Sequence, residues 1–168
     1  KPMAIMTFAP SGLLHAMMAI HGAWSGHTPT YLMVSNIVDA VQRRPGVDWG
    51  AHSMMDAAAP VRDILKWDDT PVSLQHFAES AVRAYKMAMT EPRGPVMLVV
   101  DDGLQEHPIP DRSKLHIPKL TLASPPAVDP AAVAEVAKLL VAAENPLIVA
   151  GDVARNERGM NLLVELAE

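Results

Sequence analysis

A chain of 168 residues with 49% hydrophobic and 20% charged residues has the composition of a folded domain, and its formal net charge of −5 offers no basic face for nucleic acid or anionic lipid. The absence of cysteine excludes disulfides, thiolate catalysis and Cys-based zinc sites; it suits a reducing compartment, so a cytoplasmic location is expected. No apolar run reaches the roughly 18 residues that span a bilayer, and no small-residue cleavage pattern follows the N-terminus, so neither a membrane partner nor a signal peptide is expected.

In chain order, "MAIMTF" (3–8) lies between Pro2 and Pro10 and reads as a strand buried on both faces of a parallel sheet. Ser11 then reads as the cap of a helix running to about Trp24, stopped by Gly26 and Pro29. "TYLMVS" (30–35) is the next strand. The stretch from Asn36 to Ile64 is long and irregular, with only short helical pieces expected, and such loops often face a site. Thr70 as cap, Pro71 at the first helical position and apolar residues at helical spacing from Leu74 to Ala88 predict a helix ending at Pro92–Pro95. "PVMLVVD" (95–101) reads as a central parallel strand. Strands alternating with helices imply an α/β fold, a parallel sheet flanked by helices with right-handed crossovers.

Between Gln105 and Asp129 five prolines interrupt a stretch without helical period, which reads as an extended linker. Asp129 as cap and Pro130 as first helical residue open a further helix, Asn145-Pro146 closes it, and "LIVAGD" reads as a strand. A second α/β unit therefore begins near residue 130. The chain starts without Met and stops within an amphipathic pattern, so it reads as a fragment.

Single motifs carry little chemistry. His15, His21 and His27 are six residues apart, which turns successive rings about 120° away from one another and disfavours a helical metal pair. "GDVARN" lacks the glycine spacing of a dinucleotide loop and the Gly-Lys-Ser/Thr of a P-loop. Asp68-Asp69 and Asp101-Asp102 fall at element boundaries, where acids end strands and cap helices. The 11 methionines read as core filling, and no nucleophile elbow is present.

Three stretches in order carry a family pattern: "APSGLLHAMMAIHGAWSGHTP", "VRDILKWDDTPVSLQHFAESAVRAYKMAMTEPRGPVMLVVDDGLQE" and "VAEVAKLLVAAENPLIVAGDVARNERG". Together they resemble the thiamine diphosphate-dependent enzymes of the acetolactate synthase and benzoylformate decarboxylase type. The resemblance implies a partial pyrimidine-binding domain over 1–104, a Pro-rich linker over 105–129, and from 130 to 168 the start of a Rossmann-like central domain. It further implies a parent enzyme acting on a small molecule, a 2-oxo acid or related acyl substrate, as decarboxylase, carboligase or lyase.

On the same resemblance the cofactor is thiamine diphosphate with Mg²⁺, the metal site lying in a C-terminal domain beyond Glu168 and the activating glutamate before Lys1. FAD is left open. This chain alone would be inactive, and the parent a homodimer or homotetramer. Ser11, Gly12 and His15 fall on the cofactor-side turn and helix start. Phe8 stands where some decarboxylases place a histidine, and His52 and Ser53 fall where synthases present a substrate-side Phe-Gln pair. The competing expectation is a non-catalytic α/β remnant or assembly module.

Overall fold

The structure is a computed structural model that describes residues 1–39 and 52–168, so most of the loop after Asp39 lies outside the described residues. The chain divides into two compact units, 1–125 and 126–168. The first contains strand β1 (Met3–Phe8), helix α1 (Ser11–Ser25), strands β2 (Thr30–Asn36) and β3 (Trp67–Asp69), helix α2 (Leu74–Met89), strand β4 (Pro95–Asp101) and the short helix α3 (Asp102–Glu106). Among the described residues the three strand pairings of the sheet are parallel and the strand order is β1-β2-β4-β3, with Met3 opposite Thr30, Thr30 opposite Pro95 and Trp67 opposite Val96.

Strand β4 is central, as its unbroken apolar run requires: Val96, Met97, Leu98 and Val99 are all buried. Alternate residues serve opposite faces. Met97 and Val99 join Leu13 and Ile20 of α1, Leu32 and Val34 of β2, and Val61 and Leu65; Val96 and Leu98 pack with Ala84 and Ala88 of α2. The β1–α1–β2 and β3–α2–β4 crossovers run in opposite directions along the sheet, so one hand of connection puts their helices on opposite faces.

Two details of the first βα unit correct the sequence reading. Strand β1 is an edge strand rather than a doubly covered one: Met6 and Phe8, on one face, are 79% and 44% exposed, because α2 sits over the other strands and leaves this side of β1 bare. Ser11 does not cap α1. It is the first helical residue, the cap position is Pro10, and no side chain accepts a cap hydrogen bond. A missing cap costs about 1 kcal/mol, whereas burying Leu13 and Ile20 is worth roughly 1.5–3 kcal/mol each. Packing therefore decides where this helix lies.

Helix α2 begins at Leu74, not at Pro71, because Ser73 supplies the cap by accepting the backbone N–H of His76. Thr70 and Pro71 instead follow β3, a three-residue strand too short to leave a period in the sequence. Asp69 ties this strand to α2: its carboxylate meets His76 Nε2 at 3.0 Å and accepts the Ser80 hydroxyl. Tyr31 of β2 donates its hydroxyl to the Ala81 carbonyl at 3.1 Å, and burial pushes this phenol up to about 12. Residues 107–125 belong with the first unit, where Gln75 clasps the main chain of His116, donating to its carbonyl and accepting its N–H, both at 2.9 Å.

The second unit holds helices α4 (Pro130–Ala142) and α5 (Glu157–Ala167). Helix α4 is built as its sequence predicts, with Asp129 accepting the Ala131 N–H at 2.9 Å and proline in the first turn. "LIVAGD" forms no strand. A strand needs a partner for its ladder, no other extended segment occurs in this unit, and Leu147 and Val149 are 86% and 87% exposed.

Candidate functional site

Open parallel sheets bind ligands beyond the carboxyl ends of their strands. Here β1, β2 and β4 end side by side at Phe8, Asn36 and Asp101. Beyond the ends of β1 and β2 lies an open cleft of about 510 Å³, walled by Met6, Thr7, Phe8, Ser35, Ile37 and His52. Its floor is anchored by backbone bonds: Ala9 N–H donates to Ser35 O at 2.9 Å and Ile37 N–H to His52 O at 3.2 Å.

The buried centre of this region is an amide–carboxylate pair that the sequence reading passed over. Asn36 and Asp101 are both fully buried. Asn36 Nδ2 donates to Asp101 Oδ1 and to Met54 O, while its Oδ1 accepts the Met54 N–H, all at 2.9 Å. The asparagine thus pairs like a short stretch of backbone, holding residues 52–54 against the end of β2. A polar residue closing an apolar strand was the available signal, together with an acid in register at the end of β4.

Phe8 and His52 meet across the cleft, ring centroids 5.2 Å apart and planes at 64°, an edge-to-face contact. Ser53 is turned to structural work, donating its hydroxyl to Ile37 O at 2.7 Å. Ser11 and His15 are exposed and one turn apart, on the same side of the start of α1. Gly12 serves close packing: a Cβ there would stand 2.0 Å from Thr7 Oγ1 and 3.8 Å from Phe8 Cδ1, so only glycine lets α1 approach β1 this closely. The first turn of α1 and the aromatic edge of the cleft are thereby fixed to one another.

Around this frame, Arg62 holds the incoming segment. It forms a two-pronged pair with Asp56, at 2.7 and 3.0 Å, and reaches Asp68 at 3.4 Å. Hydrogen bonding from the guanidinium holds the Asp56 carboxyl below the usual carboxylate range. Among the described residues no group of three His, Asp or Glu side chains could hold a metal ion, and no helix is long and apolar enough to cross a membrane.

The parallel α/β architecture with helices on both faces is that of a domain of thiamine diphosphate-dependent enzymes, and solved structures of such enzymes resemble the chain over about nine-tenths of its length. Benzoylformate decarboxylase from Polynucleobacter necessarius superposes with a TM-score of 0.73 at 25% identity, covering 92% of this chain. A Mycobacterium smegmatis protein assigned thiamin diphosphate dependence superposes with a TM-score of 0.65 at 23% identity over 87% of the chain, a likeness of fold. The chain spans 28% and 27% of the lengths of these two proteins. No family model matches the sequence.

Proposed function

We propose that this chain is part of a longer thiamine diphosphate-dependent enzyme that acts on a 2-oxo acid or related acyl substrate, by decarboxylation, carboligation or C–C cleavage. One observation carries the reading: the likeness to benzoylformate decarboxylase, at a TM-score of 0.73, runs through 92% of the chain. In this reading residues 1–104 contribute to the cofactor's pyrimidine side, 105–129 connect, and residues from 130 open a central domain.

The residues fit one side of an aminopyrimidine. The first turn of α1 presents backbone N–H groups without a side-chain cap, beside exposed Ser11 and His15, and Phe8 supplies an apolar wall. Among the described residues the cleft is lined by no carboxylic acid, Asp101 being buried on Asn36. These side chains can orient and shield the ring, and in this reading the activating acid comes from another part of the enzyme. When bound, thiamine diphosphate supplies the carbanion chemistry and the protein supplies orientation. Phe8 and His52 would face the substrate, with Ser53 keeping the His52 segment in place. Mg²⁺ would bind with the diphosphate outside this chain, and FAD stays open as a second cofactor.

A homodimer or homotetramer and a cytoplasmic location go with this reading, as does inactivity of the chain by itself. Calorimetric titration of the full-length protein with thiamine diphosphate and Mg²⁺ tests it. Saturable binding that requires both is the expected result. A folded full-length protein that takes up no cofactor would favour the assembly module instead.

A further inference from the structure

Ser35, in the wall of the cleft beyond β1 and β2, has its hydroxyl proton committed to the fold. It stands opposite Phe8 in the β1–β2 register, so its side chain shares a sheet face with Phe8 and Met6. Gln105 of α3 decides the direction of the bond. A main-chain carbonyl can only accept, so the amide end lying 2.7 Å from Val100 O is the NH2, and the amide oxygen is the end turned to Ser35. Reversing the amide would set oxygen against oxygen. Ser35 Oγ therefore donates to Gln105 Oε1, at 2.9 Å. A hydroxyl has one proton and two lone pairs. With the proton held by Gln105, what Ser35 offers the cleft is an acceptor alone.

The rest of the wall defines the body that carries the donor. Met6, Phe8 and Ile37 give an apolar surface with a thioether and an aromatic ring, partners for a flat apolar group. Among the described residues the lining holds no Lys, Arg, Asp or Glu to offset a full charge. At about 510 Å³ the cleft has room for a small molecule. We propose that the cleft selects an uncharged hydroxyl or amino group on an aromatic body, bound by donation to Ser35 Oγ. Gln105 is the positioning residue that keeps the serine an acceptor. A group that offers acceptors alone, such as an ether, meets lone pair with lone pair and is disfavoured. On the thiamine diphosphate reading the selected group is the substrate's tail rather than its 2-oxo acid end, but the selection itself does not rest on that reading.

Methyl NMR of the full-length protein, labelled with methyl-¹³C methionine and free of cofactor, tests the selection. It is titrated with p-cresol and with 4-methylanisole, which has the same ring but an ether in place of the hydroxyl. The Met6 signal, identified by its loss in Met6→Leu, reports occupancy of the cleft. p-Cresol should bind about fivefold more tightly than 4-methylanisole, and Ser35→Ala should remove that advantage. Gln105→Leu, or Gln105→Met if that variant misfolds, frees the serine proton to donate to the ether oxygen. The two ligands should then converge although Ser35 is intact, a change that a purely structural tie between α3 and β2 does not predict. The comparison of ligands on the unaltered protein needs no variant to fold. Equal affinity there, a preference that survives Ser35→Ala or is untouched by the Gln105 variants, or a Met6 signal moved by neither ligand overturns the proposal. With no cofactor present, none of these outcomes bears on the thiamine diphosphate reading, which the calorimetric titration tests separately.

Discussion

Replacing Asn36 with alanine should detach the 52–54 segment from the sheet. The side chain makes three hydrogen bonds of 2.9 Å in a fully buried position, to Asp101, Met54 O and Met54 N–H. Each buried group deprived of its partner costs roughly 1–3 kcal/mol, and the Met54 N–H and carbonyl both lose theirs, whereas Asp101 keeps a further interaction. A loss of about 4 kcal/mol follows, a large share of the 5–15 kcal/mol that holds a typical domain. Urea unfolding followed by circular dichroism measures it. Asn36→Asp separates shape from chemistry: it keeps the acceptor for Met54 N–H but turns a second carboxylate toward Asp101. A like-charge neighbour raises a folded-state carboxyl pKa, and stability so linked is retained below the ordinary carboxylate range and lost as pH rises. The aspartate variant should accordingly be damaged at neutral pH and recover on acidification, whereas the alanine variant should not recover. A loss below about 1 kcal/mol for Asn36→Ala, or an aspartate variant without pH dependence, would refute the argument that this amide is the clasp.

Gly12→Ala should cost about 1–3 kcal/mol by overpacking, because its Cβ would meet Thr7 Oγ1 at 2.0 Å; adding Thr7→Ala should restore most of the loss in thermal unfolding. Ser73→Ala should destabilise by about 1 kcal/mol as a lost helix cap, and Thr70→Ala by less, since the hydroxyl that accepts His76 N–H belongs to Ser73. Tyr31, held at about 12 by burial, should show its ionisation near that pH in an ultraviolet titration. Because its folded pKa lies above the unfolded value, its contribution is complete below pH 10 and fades as pH climbs toward 12; Tyr31→Phe should flatten that alkaline loss.

The sequence exposed those parts of the fold whose forces are local. The apolar run 95–101 had to be a central strand, and Asp129-Pro130 had to start a helix, because hydrophobic burial and capping act within a few residues. What it concealed depends on distant neighbours. "MAIMTF" has the composition of a covered strand, but its cover would have to come from a helix that instead sits over β2, β4 and β3. "LIVAGD" has strand composition and no partner to pair with. Ser73 and Thr70 are both good caps, and the short β3 strand decided between them by taking residues 67–69 into the sheet.

The candidate site was legible in outline, and the structure adds contacts within the fold that the sequence did not display. Phe8 and His52, 44 positions apart, do meet. Ser53, however, bonds to the backbone, Gly12 answers to packing, and Asn36 and Asp101 hold the region together. A pairing across 65 positions is set by strand register, which no local pattern encodes.

The central proposal is that a thiamine diphosphate ring rests at the carboxyl ends of β1 and β2, against the first turn of α1. A crystal structure of the full-length protein with thiamine diphosphate and Mg²⁺ tests it most directly. The account predicts the aminopyrimidine in contact with the Ser11–His15 turn and the Phe8 edge. A cofactor bound away from this turn, or a well-ordered protein that binds none, would contradict it.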